Sequence, residues 1–327
     1  MSAPILVVCG HGAGRPRAAS DELLGLAGEL ARRSGGDVVA VTLGESDGAN
    51  DLIARGARTV YQIEHALLVA GHVEAMTAAL AQVCRDVGPA VVLLDHDSAG
   101  ADLAPRLAFR LGGSVATGCV AVDYAADRYL CTRPRQGGIA REVVSFRNAP
   151  VVATVRAGNH DAAVADQARQ GHIVRVAFEP SGEDVRTRVL ERRKESNEAG
   201  PCLEEARIIV AGGRGLNGPE GFCVLAELAQ ALGGVVGASR VPCDLGWCPR
   251  SWQIGLTGKT VIPELYIAVG ISGASHHMAG CGNAKTIVAV NTDPDAAIFR
   301  DARYGVIGDY QALIPALTAE IRKQRPA

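Results

Sequence analysis

Gly212-Gly213-Arg214-Gly215-Leu216 follows the apolar run Ile208 to Ala211 and precedes a helical stretch, Glu220 to Leu232. A strand that feeds a glycine turn and then a helix gathers backbone N–H groups beside a helix N-terminus, which is where α/β sheets bind phosphates. Alone, this turn is equally a plain strand-to-helix connection, and it is not the G-x-G-x-x-G dinucleotide fingerprint. Comparable strand ends follow: Val235 to Ala238 runs into Ser239-Arg240, and Leu265 to Gly270 runs into Ile271-Ser272-Gly273-Ala274-Ser275-His276-His277. Their concentration in one stretch favours an extended anionic ligand. Between them lies a polar loop, Gln253-Ile254-Gly255-Leu256-Thr257-Gly258-Lys259. Two later runs end in Asn291-Thr292-Asp293-Pro294 and Gly308-Asp309. Asn and Asp at such ends can bond ribose hydroxyls or adenine, although each singly is as readily a turn former.

Other reactive residues form no recognisable centre. Adjacent residues on a helix point about 100° apart, so His276 and His277 converge poorly on one metal, and no Cys or acid stands at a ligand spacing. No metal is expected. The nine cysteines are scattered without a C-x-x-C pair, which argues against a disulfide or zinc framework. Cys243 and Cys248 flank a Trp-containing loop, where a reactive thiol is the alternative to an ordinary buried or surface thiol.

A chain of 327 residues holds roughly two domains of about 100 to 200 residues each. With 48% hydrophobic and 21% charged residues it is globular, and 39 glycines against 5 Phe, 6 Tyr and 2 Trp imply small aliphatic cores and many tight turns. A formal net charge of −2 without a basic stripe removes the electrostatic reason to expect nucleic acid or an acidic membrane as partner. No apolar run approaches the roughly 18 to 20 residues of a membrane span, and Met1 to Gly14 lacks signal-peptide character, so a cytoplasmic protein is expected.

The elements alternate. Ile5 to Cys9, Asp37 to Leu43 and Val91 to Leu94 are apolar runs, separated by helical periodicity at Ser20 to Ser34 and Val73 to Val87 and followed by Asp102 to Leu111. Short β-rich runs at Ser114 to Asp123, Tyr129 to Arg133, Glu142 to Phe146 and Val151 to Arg156 predict a sheet that is mixed at one edge. From Glu179 to Arg207 the composition turns to Glu, Arg, Lys, Ser, Asn, Gly and Pro, which marks a domain boundary. The expected organisation is an N-terminal Rossmann-like α/β domain with a mixed sheet (1–180), a linker (181–205) and a C-terminal α/β domain with a parallel sheet (206–327).

The strings GGRGL, ASR (238–240), QIGLTGK (253–259), PELYIAVGISGA (263–274), AVNTDPDAAIF (289–299) and YGVIGD (304–309), with their spacing, closely resemble the electron transfer flavoprotein alpha subunit, EtfA/FixB. The resemblance covers about 207–317. It is weaker at DLAPRLAFRLG (102–112), TRPRQGG (132–138) and VVATVRAG (151–158). It implies that the C-terminal domain binds FAD. By the same resemblance His277 stabilises the negative charge that develops near flavin N1 and O2, and Arg240 lies over the isoalloxazine, where a guanidinium stacks and raises the potential. Thr257 corresponds to the hydroxyl that bonds flavin N5. Ser239, Ser272 and the Gly273 turn correspond to donors to the pyrophosphate and ribityl chain, and Arg214, Asn291 and Asp309 to positions around the FAD, the last two toward the adenosine. Gly255, Leu256 and His276 complete the expected cofactor-binding set. Leu256 and His276 stand where the family pattern has Gln, which implies a specialised paralogue with an altered flavin potential.

The resemblance implies a carrier: a heterodimer with an electron transfer flavoprotein beta subunit, a dehydrogenase as donor, and a quinone-linked or other redox acceptor. No catalytic base or substrate site is identified, so a carrier is expected rather than an enzyme. The first domain is a scaffold for the beta subunit, and Arg133, Arg135 and Arg141 are either partner contacts or a solvated basic face. The alternative is the flavin-bearing subunit of a fixed dehydrogenase or demethylase complex, or a bifurcating electron transfer flavoprotein.

Overall fold

The computed structural model describes residues 3–11, 18–44, 48–136, 140–182, 184–190 and 203–324. The chain forms two compact units, Met1–Arg135 with Ala140–Arg192, and Gln136–Ile139 with Arg193–Ala327. Of the expected linker, residues 183 and 191–202 lie outside the described residues. Within that stretch, the N–H groups of Arg186 and Thr187 donate to Glu74 Oε2 at 2.8 and 2.9 Å.

The first unit alternates β1 (Ile5–His11), α1 (Ala18–Ser34), β2 (Val38–Leu43), α2 (Ala49–Ala54), β3 (Thr59–Ile63), α3 (Ala66–Val69), α4 (Val73–Val87), β4 (Val91–Asp95) and α5 (Ser98–Leu111). It continues with β5 (Ser114–Cys119), β6 (Ala121–Ala125), β7 (Arg128–Arg135), β8 (Ala140–Ser145), β9 (Val151–Val155) and β10 (His172–Arg175). Seven strands make one parallel sheet in the order β10-β3-β2-β1-β4-β9-β5, whose centre is the Rossmann arrangement. Period-two alternation sends Ile5 and Val7 of β1 to the α1 face, and Leu6 and Val8 to the face covered by α4 and α5. Both faces are therefore apolar, and the strands read as continuous hydrophobic runs.

The mixed character expected of this unit is divided between two sheets. The antiparallel strands β6-β7-β8 form a separate three-stranded sheet, entered after Gly118 at φ 69° and reversed by Ala126 and Asp127 at φ 48° and 57°. Two consecutive left-handed residues make the turn whose twist matches a tight hairpin.

The second unit runs β11 (Ile208–Gly212), α6 (Glu220–Leu232), β12 (Val235–Ala238), α7 (Arg240–Asp244), β13 (Leu265–Val269), α8 (Ser275–Cys281), β14 (Ile287–Asn291), β15 (Tyr304–Ile307) and α9 (Tyr310–Gln324). Its sheet is wholly parallel in the order β12-β11-β13-β14-β15, the flavodoxin-like order. Val210 packs with Leu225 of α6 and Ile314 of α9 on one face, and Ile209 and Ala211 with Tyr266 and Cys281 on the other. Left-handed Gly233 ends α6, and the Asp309 carboxylate accepts the Gln311 N–H at 2.9 Å to start α9.

At the carboxyl end of this sheet two strand-end turns meet backbone to backbone. Gly213 N–H donates to Val269 O at 2.9 Å and Gly215 N–H to Gly270 O at 3.0 Å. A Cβ on Gly213 would stand 2.1 Å from Gly270 O, and one on Gly215 would stand 2.8 Å from Gly270 Cα. Among the described residues no helix is long and apolar enough to cross a membrane. Gly213→Ala is expected to destabilise the second unit by about 1–3 kcal/mol, the usual cost of forcing atoms into a packed site. Denaturant unfolding of the full chain checks this, and an unchanged midpoint would contradict the close approach.

Candidate functional site

The order of the second sheet fixes where a ligand can sit. The chain leaves β11 toward β12 on one side, and β13, β14 and β15 extend on the other, so the connections diverge between β11 and β13. Ligands of open α/β sheets bind in the crevice outside the strand carboxyl ends at such a point. A cleft of 550 Å³ lies there, within the range of small-molecule and cofactor pockets.

Its walls are the segments that follow four parallel strands. Arg214 and Asn217 come after β11, Ser239 and Arg240 after β12, Ser272, His276 and His277 after β13, and Asn291 with Asp293 at the end of β14. Of the residues nominated from the sequence, Arg214, Ser239, Arg240, Ser272, His276, His277 and Asn291 line this one cleft. Gly255, Leu256, Thr257, Gly273 and Asp309 do not line the cleft. Gly273, at φ 81°, lies under the turn, where a Cβ would meet the Ile298 backbone at 2.2 Å. Asp309 caps α9.

The residues differ in how committed their polar atoms are. Arg240 is two-thirds exposed and pairs with Asp244 one helical turn on, Nε to Oδ2 at 2.9 Å. Arg214 is exposed at the glycine turn. These guanidiniums give the cleft its positive charge, suited to phosphate oxygens and a flavin face. Asn291 is a brace: its Nδ2 donates to Ile271 O at 3.0 Å and its Oδ1 accepts the Asp293 N–H at 3.1 Å, fixing the turn that presents Ser272.

The loop 253–259 is tied to α8 by its backbone. Leu256 N–H donates to His276 O at 2.7 Å, and Val261 N–H to Gly280 O at 2.8 Å. Buried Gln253 donates to Thr257 Oγ1 at 2.9 Å, which orients the exposed Thr257 hydroxyl while leaving its own proton available.

His277 is the buried member, 7% exposed. Its Nδ1 meets Ile254 O at 3.1 Å and its Nε2 meets the Tyr266 hydroxyl at 3.0 Å. A carbonyl only accepts, so Nδ1 carries the proton and Nε2 accepts the Tyr266 O–H. Burial pushes its pKa down to about 4, opposed by the Ile254 hydrogen bond. His277 is therefore neutral at pH 7 in this arrangement, with its Nδ1 proton held by Ile254 O. Tyr266, fully buried on β13, is the partner that sequence reading missed: its position in an apolar run carries no sign of a polar contact. In the first unit, Arg133 and Arg135 both close on Glu142 at 2.6 and 2.8 Å.

Two family models match the chain: the electron transfer flavoprotein domain over residues 5–181 and the electron transfer flavoprotein FAD-binding domain over residues 202–282. An electron transfer flavoprotein subunit alpha of Thermoanaerobacterium thermosaccharolyticum is 42% identical over 306 residues, 92% of each chain. The protein of that name from Bacillus subtilis is 40% identical over 88% of each. Protein FixB of Azotobacter vinelandii is 36% identical over 91% of this chain and 85% of its own.

The His277 geometry has a pH consequence. Its folded pKa of about 4 lies below the ordinary 6.5, so the fold favours the neutral form. That stability is fully present above pH 6.5 and is lost as pH falls through 4, amounting to about 3 kcal/mol. In unfolding titrations of the chain, His277→Gln should lack this component. The wild-type advantage should then shrink steadily from pH 6.5 to 4, and a pH-independent difference would rule out the buried neutral imidazole.

Proposed function

Because this chain belongs to the electron transfer flavoprotein alpha-subunit family, we propose that its cleft residues hold and tune the flavin of a two-subunit electron carrier. The second unit binds FAD, and the chain is the alpha subunit of an electron transfer flavoprotein that pairs with a beta subunit. When bound, FAD supplies the capacity to take up and release electrons. The observation that supports the residue assignment is the convergence of Arg214, Ser239, Arg240, Ser272, His276 and Asn291 on one cleft at the carboxyl ends of parallel strands.

Each residue has a physical part. Arg240, on the first turn of α7, offers an exposed guanidinium over the cleft, able to stack on a flat aromatic ring and to favour its more electron-rich state. Arg214 and the hydroxyls of Ser239 and Ser272 supply a cation and donors for pyrophosphate oxygens and the ribityl chain. Thr257, held by Gln253, keeps one proton for a ring nitrogen at the rim. Neutral His277 locks α8 to the loop through Ile254 and to the sheet through Tyr266. In this reading it positions the surrounding donors. Asn291 does the same for the Ser272 turn, and Asp309 acts at the adenosine end chiefly by starting α9.

The finer reading is a mobile carrier that takes electrons from a separate dehydrogenase and passes them to a quinone-linked or other redox acceptor in the cytoplasm. In anaerobic spectroscopy of the FAD-loaded heterodimer, the flavin should bleach when a co-purifying dehydrogenase is added with its substrate, and stay oxidised with the substrate alone. Bleaching by substrate alone would instead make it an oxidising enzyme. Arg240→Ala should lower the flavin potential or its occupancy by an amount corresponding to about 1 kcal/mol of lost interaction. A reductive titration together with the flavin-to-protein absorbance ratio measures both, and wild-type values for both would remove Arg240 from the site.

A further inference from the structure

Cys243 and Cys248 meet where α7 turns back on itself. Trp247 N–H donates to Pro242 O at 2.9 Å and Gly246 N–H to Cys243 O at 3.1 Å, with Gly246 at φ 71°. This pair of bonds through a left-handed glycine is the Schellman closure of a helix end. It reverses the chain so that residue 248 returns to residue 243, and the two sulfurs stand 3.5 Å apart as free thiols. A disulfide needs about 2.05 Å, so side-chain adjustment of roughly 1.5 Å would close one.

The two thiols differ in the way an exchange reaction requires. Cys243 is half-buried and reachable from solvent, whereas Cys248 is buried behind it. The Cys243 S–H points to Pro249 O at 3.6 Å, which leaves the Cys248 S–H to donate across the 3.5 Å contact; that contact first, then Arg250, holds the Cys243 thiol below its ordinary value against burial and Asp244. Donating that proton, together with burial, pushes Cys248 up. An accessible thiol with enhanced thiolate character attacks, and a protected neighbour resolves. Other cysteines lack one of these features. Cys119 and Cys131 are adjacent, but both are fully buried on β5 and β7. Cys223 is exposed on α6, and among the described residues no thiol pairs with it.

We propose that Cys243 and Cys248 are a thiol–disulfide exchange site, reacting with a small disulfide of the glutathione class. The Cys243 thiolate attacks one sulfur of the small disulfide, forming a mixed disulfide and releasing one thiolate. Cys248 gives its proton to that leaving group and attacks Cys243 Sγ, expelling the second thiolate, which takes a proton from solvent after the Cys243 proton has gone there. Two protein thiols are oxidised by two electrons, and the small disulfide is reduced to two thiols. The bridge closes over the same short helix that carries Arg240, which lines the cleft, and its ion-pair partner Asp244. The redox state of the pair is thereby placed beside the cofactor-binding surface, on the helix whose first turn supplies Arg240 to it.

The test uses the full chain with FAD bound, incubated with oxidised glutathione, quenched with acid, unfolded, alkylated and analysed by mass spectrometry. Wild type should lose the mass of two hydrogens, with Cys243 and Cys248 joined in one peptide and protected from alkylation, and dithiothreitol should restore both thiols. Cys248→Ser should retain one glutathione on Cys243. Cys243→Ser should leave Cys248 fully alkylated. The proposal is overturned if both thiols of wild type remain alkylatable while Cys223 takes up glutathione. It is equally overturned if wild type keeps a glutathione on Cys243 as stably as Cys248→Ser does, since Cys248 would then not resolve it. FAD absorbance of each variant before oxidation verifies folding, and the wild-type outcomes decide the matter if a variant fails to fold.

Discussion

The site of the second unit depends on the contact between two turns that have no side chains where they touch. Gly213 and Gly215 follow β11, Gly270 follows β13, and their backbones are joined by the Gly213-to-Val269 and Gly215-to-Gly270 hydrogen bonds. Gly270 holds φ 62°, a conformation that glycine adopts without steric cost. Only because both turns lack Cβ atoms can the chain segments after neighbouring parallel strands approach this closely at the point where the connections diverge. Their approach sets the floor of the cleft, and it directs Arg214 to one side and Ser272 to the other.

A second constraint works outward from that floor. The loop 253–259 is held from two sides: Ile254 N–H donates to Ala238 O at the end of β12 at 2.9 Å, while on the α8 side Ile254 O accepts the His277 Nδ1–H and Leu256 N–H donates to His276 O. His277 in turn is held by Tyr266 from within β13. A neutral imidazole suits this position because it offers one donor and one acceptor in fixed directions, matching one carbonyl and one hydroxyl without a charge to desolvate. The sheet, the helix and the loop thus become one rigid rim.

Much of this was legible in the sequence where local chemistry decides the outcome. The glycine strand ends, the helices Val73–Val87 and Glu220–Leu232, and the clustering of Arg214, Ser239, Arg240, Ser272 and Asn291 follow from periodicity, turn residues and a recognisable motif set. What was not legible depends on distant partners. β10 is an exposed edge strand whose identity comes from pairing with β3, more than a hundred positions earlier in the chain. The division of the first unit into two sheets depends on where β5 stops, at Gly118 and Cys119, which no run of residue types announces. The bracing of Asn291 and the tautomer of His277 are set by carbonyls and a hydroxyl from other segments, so type and spacing could nominate these residues without fixing what their atoms do.

The same geometry explains how Leu256 and His276, the two positions where the resemblance implies Gln, can be accommodated. Leu256 and His276 stand at opposite ends of one hydrogen bond, but that bond runs between main-chain atoms. Their side chains are exposed, Leu256 at 45%, and neither is needed to hold the loop on α8. An amide can be exchanged for an aliphatic group at one position and for an imidazole at the other while the rim keeps its shape. His276 lines the cleft, where it adds an imidazole ring, whereas Leu256 lies outside the lining. The fold therefore separates the parts that hold the cleft together, which are backbone and buried, from the side chains displayed at its edge.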